Sequence, residues 1–252
     1  MKKVSNNQIK LWKKLLQGKH RRREGLFIAE GERCVEQIVR HGAIEVEALV
    51  VSEGFAVPDL LKETEILEAD TARFASLSDT VTPQGIIAIC RIPAPSTLQQ
   101  LVEAEGLVVA TDAIQDPGNL GTIIRTAAWF GVRGLLLGHG TVDPFHPKVV
   151  RSTAGATGTL PICSGQLNEM LHEAAELGAD ITLLDGGPGS EPIAEGRPAK
   201  RRVLVVGNEA NGISEEIASA HPHHVRIPGR SGHVESLNAA LAAGIGMYHY
   251  TQ

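Results

Sequence analysis

Residues 203–212 read Val-Leu-Val-Val-Gly-Asn-Glu-Ala-Asn-Gly, four apolar residues that run directly into a glycine-rich polar loop. A continuous apolar run of this kind predicts a strand covered on both faces, as in a parallel sheet. Similar runs occur elsewhere in the chain, alternating with segments of helical periodicity, which predicts an α/β fold. Ligands of open parallel sheets bind beyond the carboxyl ends of the strands, so the loop at 207–212 is a candidate binding loop.

The alternation of strands and helices is interrupted once, at the proline-rich stretch 93–96 of the 252-residue chain. We expect a smaller N-terminal α/β domain over residues 1–93, a connection over 94–106 and a parallel-sheet domain over 107–252. In the first domain, a capping box at residues 5–8 predicts a basic helix that ends at Gly18.

Basic charge is concentrated at the N-terminus. The formal net charge is -5, but residues 1–23 hold nine Lys and Arg and no acidic residue, which leaves -14 on the rest of the chain. This split indicates a polyanion or an acidic membrane as the partner of the basic end, and a solvated or disordered tail is the alternative. The candidate contacts to a polyanion are Lys13, Lys14, Arg21, Arg22 and Arg23.

Several classes of protein are disfavoured. No apolar run reaches the roughly 18 residues of a membrane span, and the N-terminus lacks the apolar region of a secretory signal. Cys34, Cys90 and Cys163 lie far apart, which predicts free thiols and a cytoplasmic protein. No P-loop occurs, and the Gly-x-Gly at 138–140 lacks the third glycine of a dinucleotide fingerprint. The histidines of residues 221–224 have no carboxylate or cysteine in register, so we expect no metal site.

Three loops at predicted strand ends share an unusual composition of glycine, asparagine and charged residues. They span residues 115–122, 207–212 and 228–238, and Arg125 follows the first. Glycine allows backbone to approach a ligand closely, and turn chemistry alone needs fewer polar side chains than these loops carry. The candidate site residues in and after these loops are Asn119, Arg125, Glu209, Ser236 and Asn238.

Together the three loops resemble the signature motifs of the SpoU (TrmH-type) RNA 2′-O-ribose methyltransferases, within the SPOUT superfamily. The matching positions are Asn119, Gly121 and Arg125 in the first motif, residues 206–209, 212 and 213 in the second, and residues 227, 228, 235–238 and 243–245 in the third. Residues 27–33 and 82–85 resemble that family's N-terminal substrate-binding domain, so the resemblance covers nearly the whole chain. One departure is Gly229-Arg230, where the family usually has a hydrophobic residue, in a loop about one residue longer.

This resemblance implies a fold and a cofactor. The C-terminal parallel-sheet SPOUT domain would contain a deep trefoil knot, which breaks the general rule against knotted chains, beside a smaller N-terminal α/β RNA-binding domain. S-adenosylmethionine would bind in the knot, with Gly207, Ile227 and Leu237 as the cofactor-binding residues. The family also implies a homodimer whose active site uses residues from both subunits.

The implied activity is methylation of a ribose 2′-hydroxyl of RNA, with ribosomal RNA favoured and transfer RNA as the nearest alternative. A catalytically silent RNA-binding protein of the same fold is a second alternative. The polyanion that the basic segment binds would then be RNA. Arg151 is either a further phosphate contact or a plain exposed helix residue.

The candidate catalytic residues would position the ribose and help to remove its proton. Proposals for the family make Arg125 the general base, but a guanidinium stays charged up to about pH 12, and it is at least as well suited to bind the neighbouring phosphate. The alternative without a role in the site is that Arg125 is a surface arginine paired with a carboxylate. Asn119 and Ser236 can also be read as helix N-caps, and Glu209 as a turn residue. We expect Asn238 inside the last helix, over residues 237–248, where asparagine is unfavourable and a site role explains it better.

Overall fold

The computed structural model describes residues 1–62, 64–187, 189–196, 198–230 and 236–252, so Glu235 of the third motif lies outside the described residues. The helices are α1 (Asn6–Lys14), α2 (Gly18–Glu24), α3 (Glu32–His41), α4 (Thr71–Leu77), α5 (Leu98–Val102), α6 (Pro117–Trp129), α7 (Pro147–Ser152), α8 (Leu167–Glu176), α9 (Glu215–Ala220) and α10 (Ala239–Tyr250). The strands are β1 (Lys2–Lys3), β2 (Leu26–Glu30), β3 (Val46–Ser52), β4 (Ile66–Ala69), β5 (Ile86–Arg91), β6 (Gly106–Thr111), β7 (Gly134–Gly138), β8 (Ile162–Gly165), β9 (Asp180–Leu184), β10 (Glu191–Pro192), β11 (Arg201–Val206) and β12 (His224–Arg226). None of these helices is long and apolar enough to cross a membrane.

The chain folds as two compact units that are not simply its two halves. The first unit comprises residues 1–94 and 143–159, and the second comprises residues 95–142 and 160–252. The segment 143–159, which carries α7, thus belongs to the first unit although it follows β7 of the second. The predicted boundaries place this segment in the C-terminal domain, because no change of composition marks it.

The first unit is a mixed sheet with the strand order β1-β4-β3-β5-β2. Side chains alternate between its two faces, so each strand contributes to two separate cores. On one face Ile28 packs with Trp12 of α1. On the other face Phe27 packs in a core with Val35 of α3 and Val150 of α7.

The basic N-terminal segment forms two helices where the sequence predicted one. The capping box at the start of α1 is present, with Gln8 Oε1 accepting a hydrogen bond from the Ser5 backbone N–H. The prediction that Gly18 ends this helix is wrong, because α1 ends at Lys14 and Gly18 begins α2. The left-handed residue that ends a helix here is Gly25, with φ +66°.

The second unit is a parallel sheet of seven strands in the order β10-β12-β9-β11-β6-β7-β8. Helices α5, α8 and α9 cover one face, and their residues Leu101, Leu171 and Ile217 share a core with the strands. Helix α10 packs closely on the other face, where a Cβ on Gly246 would lie 2.6 Å from Leu204 Cδ2. The predicted α/β class with a parallel sheet is confirmed.

Candidate active site

The loop that follows β11 is a tight hairpin organised by Asn208. Its backbone exchanges hydrogen bonds of 2.8 and 2.9 Å with Gly212. Its side-chain oxygen accepts from the N–H groups of Ala210 and Asn211 at 2.9 and 3.1 Å, while its Nδ2 donates to the Ala113 carbonyl at 2.7 Å. Asn208 therefore shapes the second motif loop and joins it to the end of β6. Asn208 belongs to the second motif but is not among the predicted site residues, although asparagine that bonds the backbone two residues on is a known turn signal.

Gly207, a predicted cofactor-binding residue, occupies a position where no side chain fits. A Cβ there would lie 2.2 Å from the Gly212 carbonyl carbon and 2.3 Å from the Ile213 nitrogen. The other two predicted cofactor-binding residues follow β12: Ile227 is half-buried and Leu237 is 42% exposed. Gly207 is itself buried, and it lets the backbone of residues 212 and 213 pass close to the end of β11.

Side chains from all three motif loops are joined in one hydrogen-bonded chain. Glu209 Oε1 accepts from Asn119 Nδ2 at 2.8 Å, and Asn119 Oδ1 accepts from Asn238 Nδ2 at 2.9 Å. Two longer bonds of 3.5 and 3.4 Å run from the backbone N–H groups of Gln115 and Asp116 to the Glu209 carboxylate. The structure thus brings three of the five predicted catalytic residues together.

The direction of this chain is set by Glu209. An ionised carboxylate only accepts hydrogen bonds, so Asn119 must turn its Nδ2 toward Glu209 and its Oδ1 toward Asn238. Asn238 then uses its own Oδ1 to accept from the backbone N–H groups of Ala240 and Leu241, at 3.0 and 3.2 Å. The prediction that Asn238 lies inside the last helix is wrong: it is the N-cap of α10, which begins at the next residue. Its poor helix propensity is explained by this cap as well as by the site.

Burial raises the pKa of Glu209, but the hydrogen bonds from Asn119 and from the backbone at Gln115 and Asp116 outweigh it and hold the pKa below its usual value. The carboxylate is therefore ionised at neutral pH and its lone pairs are engaged. Such a group is a weak proton acceptor for a ribose hydroxyl. Its carboxylate holds the Asn119 side chain directly and, through Asn119, contacts that of Asn238 indirectly.

The remaining two predicted catalytic residues are exposed. Arg125 lies six residues beyond Asn119 on α6, about 9 Å along the helix axis. Within the described parts of the chain it has no hydrogen bond or ion pair, so nothing there supports its alternative reading as a paired surface arginine. Ser236 is also exposed, and it is not the N-cap of α10.

The candidate RNA-binding residues lie at the end of α1 and in α2. Lys13, Lys14, Arg22 and Arg23 are exposed, and Arg23 also pairs with Glu24. Positive charge converges here: burial and the charges of Arg23, Lys19 and Lys14 lower the pKa of His20.

Arg21 differs from its neighbours and is a correction to the sequence analysis. It is only 2% exposed, and its Nε and Nη2 donate to Asp143 Oδ2 at 2.9 and 2.6 Å. Its Nη1 donates to the Leu15 carbonyl at 2.8 Å. A guanidinium held in this way cannot contact RNA. It fastens the basic helices to the 143–159 segment within the first unit.

The expectation that the histidines of residues 221–224 lack carboxylate partners is also wrong. His223 Nδ1 lies 3.2 Å from Asp180 Oδ2 and its Nε2 lies 3.0 Å from Glu191 Oε1, while His224 Nδ1 lies 3.1 Å from Asp185 Oδ2. These carboxylates come from β9, from the residue after it and from β10, which are neighbours in space and not in sequence. Both ring nitrogens of His223 and of His224 lie within hydrogen-bond distance of an oxygen, whereas the buried Nε2 of His221 has no partner among the described residues. The described residues include no group of three His, Cys, Asp or Glu side chains suited to a metal ion.

Comparison with known proteins decides the family. A model described as the SpoU rRNA Methylase family matches residues 106–248. This chain belongs to that family. A second model, described as the MRM3-like substrate binding domain, matches residues 6–88. The resemblance seen in the motifs is therefore confirmed across both parts of the chain.

Relatives in this family match the chain over almost its full length. The chain is 33% identical to the 23S rRNA (guanosine(2553)-2′-O)-methyltransferase RlmP of Bacillus subtilis, over 98% of this chain and 96% of that protein. It is similar to the AdoMet-bound rRNA methyltransferase of Sinorhizobium meliloti, with a TM-score of 0.85, 28% identity and coverage of 99% and 96% of the two chains. It is also similar to the SpoU methyltransferase AviRb of Streptomyces viridochromogenes in complex with AdoMet, with a TM-score of 0.85, 26% identity and coverage of 98% and 97%.

Proposed function

We propose that this protein is an S-adenosylmethionine-dependent methyltransferase that modifies a ribose 2′-hydroxyl of ribosomal RNA. The observation that carries the proposal is the hydrogen-bonded chain of Glu209, Asn119 and Asn238, which unites the three family motifs at one edge of the parallel sheet. Relatives similar over nearly the whole chain carry names of rRNA 2′-O-methyltransferases, which supports ribosomal RNA over transfer RNA.

The residues at the loop ends fit S-adenosylmethionine. Ile227 and Leu237 offer apolar surface for an adenine ring, and the side-chain-free Gly207 lets backbone groups approach it. The bound cofactor supplies a methyl group on a sulfonium, which is already an electrophile. The protein therefore needs only to place the nucleophile and to help remove its proton.

Positioning of the ribose is the main task of the polar residues. Asn119 and Asn238 are held rigid by Glu209, and rigid donors and acceptors lower the entropy cost of aligning the 2′-oxygen. Arg125, exposed on α6, is suited to hold the phosphate next to the target ribose with two parallel hydrogen bonds. The proton that the 2′-hydroxyl loses on methylation would pass to that phosphate or to solvent.

RNA binding is the task of the first unit in this proposal. Lys13, Lys14, Arg22 and Arg23 are exposed on adjoining helices and carry charge that a polyanion would neutralise. The second unit is net acidic, because residues 95–142 and 160–252 hold eight Lys and Arg against fifteen Asp and Glu. We therefore expect the affinity for RNA to come from the basic segment together with Arg125.

A homodimer is the second part of the proposal. Trp129 of α6 is 85% exposed, and Leu241 and Tyr248 of α10 are 55% and 58% exposed. Large apolar side chains exposed on two helices that pack together favour association with a second copy. Sedimentation of the wild type and of Trp129→Glu tests this: a wild type that sediments as a monomer contradicts the dimer.

The trefoil knot and the cytoplasmic location are also parts of the proposal. The knot is proposed from the family, and the strand order places β9 between β11 and β12, the two strands that the C-terminal segment connects. The free thiols of Cys34, Cys90 and Cys163 fit a reducing compartment.

The test is methyl transfer in vitro. Purified protein is incubated with methyl-labelled S-adenosylmethionine and unmodified transcripts of 16S rRNA, 23S rRNA or tRNA. Label should enter one rRNA, and the phosphodiester after the modified ribose should resist alkaline cleavage. Asn119→Ala should transfer no label while still binding cofactor. Label in tRNA alone would overturn the choice of substrate, and no transfer to any RNA with RNA binding intact would favour the silent RNA-binding protein.

A further inference from the structure

A cavity opens within the first unit, among residues that are not part of the three motif loops. Its volume is about 270 Å³, enough to hold a nucleobase. Glu30, at the carboxyl end of β2, and Arg151 of α7 form its floor. The start of α3 and the loop over residues 80–84 form its walls.

The floor is a buried ion pair that fixes the loop. Glu30 is 2% exposed, and its carboxylate accepts from Thr80 Oγ1 at 2.7 Å and from the Asp79 backbone N–H at 3.0 Å. Arg151 approaches Glu30 at 3.5 Å and donates to Asp79 at 2.8 Å. Arg151 is thus not a plain exposed helix residue: it pairs with Glu30 and Asp79, while its Nη1 makes no hydrogen bond among the described residues. Burial of a charged pair costs free energy. Here the pair also anchors the surface loop, through the hydrogen bonds to Asp79 and Thr80.

The backbone at the start of α3 lies in close contact with the Gln84 side chain. Gly31 has φ +103°, and a Cβ there would lie 2.8 Å from Gln84 Oε1. That oxygen accepts from the Glu32 backbone N–H at 3.1 Å. Since Oε1 is engaged, Gln84 has its Nε2 left as a hydrogen-bond donor. Neither this Nε2 nor the hydroxyl of Thr82 has a partner in the described portion of the chain.

The rim adds a cation and an apolar tip. Arg33 is exposed and has no ion pair among the residues that the structure describes, and Val81 is fully exposed at the tip of the fixed loop. A guanidinium suits a phosphate, an amide and a hydroxyl suit a base edge, and an apolar tip suits the face of a base. Proteins that recognise RNA sequence read mostly unpaired nucleotides in this way.

We propose that this cavity binds one unpaired nucleotide of the RNA substrate and thereby helps to select the methylation site. Gln84 and Thr82 would bind the base edge, and Arg33 the adjoining phosphate. This inference rests on the proposed function. A free nucleotide offers the same base and phosphate groups, so the experiment has to distinguish binding of RNA from binding of a free nucleotide.

The experiment compares Gln84→Ala and Arg33→Ala with Arg40→Ala, an exposed arginine in the last turn of the same helix. The probe is the 23S rRNA of Bacillus subtilis, transcribed without modifications, in filter binding at several salt concentrations and in methylation kinetics. Gln84→Ala should weaken binding about tenfold, the loss of one good polar contact, with an unchanged salt slope. Arg33→Ala should also weaken binding and lower the slope by about one. Arg40→Ala should stay within about twofold of wild type.

The outcomes are separable. If the wild type methylates the transcript but Gln84→Ala and Arg33→Ala bind it like Arg40→Ala, the cavity does not bind RNA and the inference fails alone. If the wild type neither binds nor methylates it, the proposed function fails too. Nucleoside 5′-monophosphates in excess should displace little RNA; tight binding of one of them, lost in Gln84→Ala, would make this a small-molecule site. Thr82→Val is a second test, needed if Gln84→Ala fails to fold because its contact to α3 is lost. Valine is nearly isosteric with threonine and leaves the Gln84 contact intact, so this variant should fold and should also weaken RNA binding.

Discussion

Replacement of Arg21 by methionine separates a structural arginine from a binding arginine in the run Arg21-Arg22-Arg23. The change removes three hydrogen bonds, two to the Asp143 carboxylate and one to the Leu15 carbonyl. It leaves a side chain of similar length in a site where the guanidinium is only 2% exposed. We expect a loss of stability and no direct loss of RNA contact.

The size of the loss follows from the geometry. Removing one partner of a buried ion pair costs about 3–5 kcal/mol. The Asp143 side chain remains 25% exposed, so water can solvate the carboxylate that is left behind, and we expect the low end, about 3 kcal/mol. In the double variant Arg21→Met/Asp143→Asn, the asparagine can still accept from the Phe145 N–H, and about 1 kcal/mol of that loss should return.

Urea unfolding followed by tryptophan fluorescence measures this loss. The chain has two tryptophans, and Trp129 lies on the proposed dimer surface, so the measurement uses a Trp129→Phe background. The signal then comes from Trp12, which is buried in the unit that carries Arg21. Arg22→Ala is the matched control, with stability within about 0.5 kcal/mol of wild type and a salt slope of RNA binding lower by nearly one. A loss below about 1 kcal/mol in Arg21→Met, or a salt slope that falls as it does in Arg22→Ala, would refute this reasoning.

Three other perturbations probe the motif loops. Arg125→Ala should lower methylation at least about 100-fold while calorimetry gives an S-adenosylmethionine affinity within about twofold of wild type; a large loss of affinity would move Arg125 into the cofactor site. Gly207→Ala should abolish cofactor binding in the same assay, since its Cβ would lie 2.2 Å from backbone; tight binding would contradict this. Hydrogen bonds hold the pKa of Glu209 below its ordinary 4.5, so its contribution to stability is present above that value and is lost as pH falls through the folded pKa. The difference in urea midpoint between wild type and Glu209→Gln should therefore stay constant from pH 7 to about 5 and shrink below; a difference that grows on acidification would contradict the sign.

The order and position of the elements could be predicted in good part from local patterns. The apolar run 203–206 forms most of β11, and the capping box starts α1. These features depend on residues within a few positions of one another. Helix ends were less predictable, as at Gly18, because several glycines nearby satisfy the same local rule.

The site was predictable as a set of residues but not as an arrangement. The motifs identified Asn119, Glu209 and Asn238, yet only the folded sheet brings Glu209 within 2.8 Å of Asn119, a residue 90 positions away. Asn208 also belongs to the second motif, but its structural role was not predictable, because it depends on Ala113, two residues beyond the end of another strand.

The amino-acid sequence by itself determined the α/β class, the family and the need for glycine and asparagine in the loops, because hydrophobic period and turn chemistry act over short distances. Only the tertiary structure decided which of three consecutive arginines is buried, since Arg21 needs a carboxylate 122 positions along the chain. It likewise decided that α7 packs with the N-terminal unit and that His223 meets two carboxylates. Burial of a charge depends on a partner that arrives from a distant part of the chain, and no local pattern records that partner.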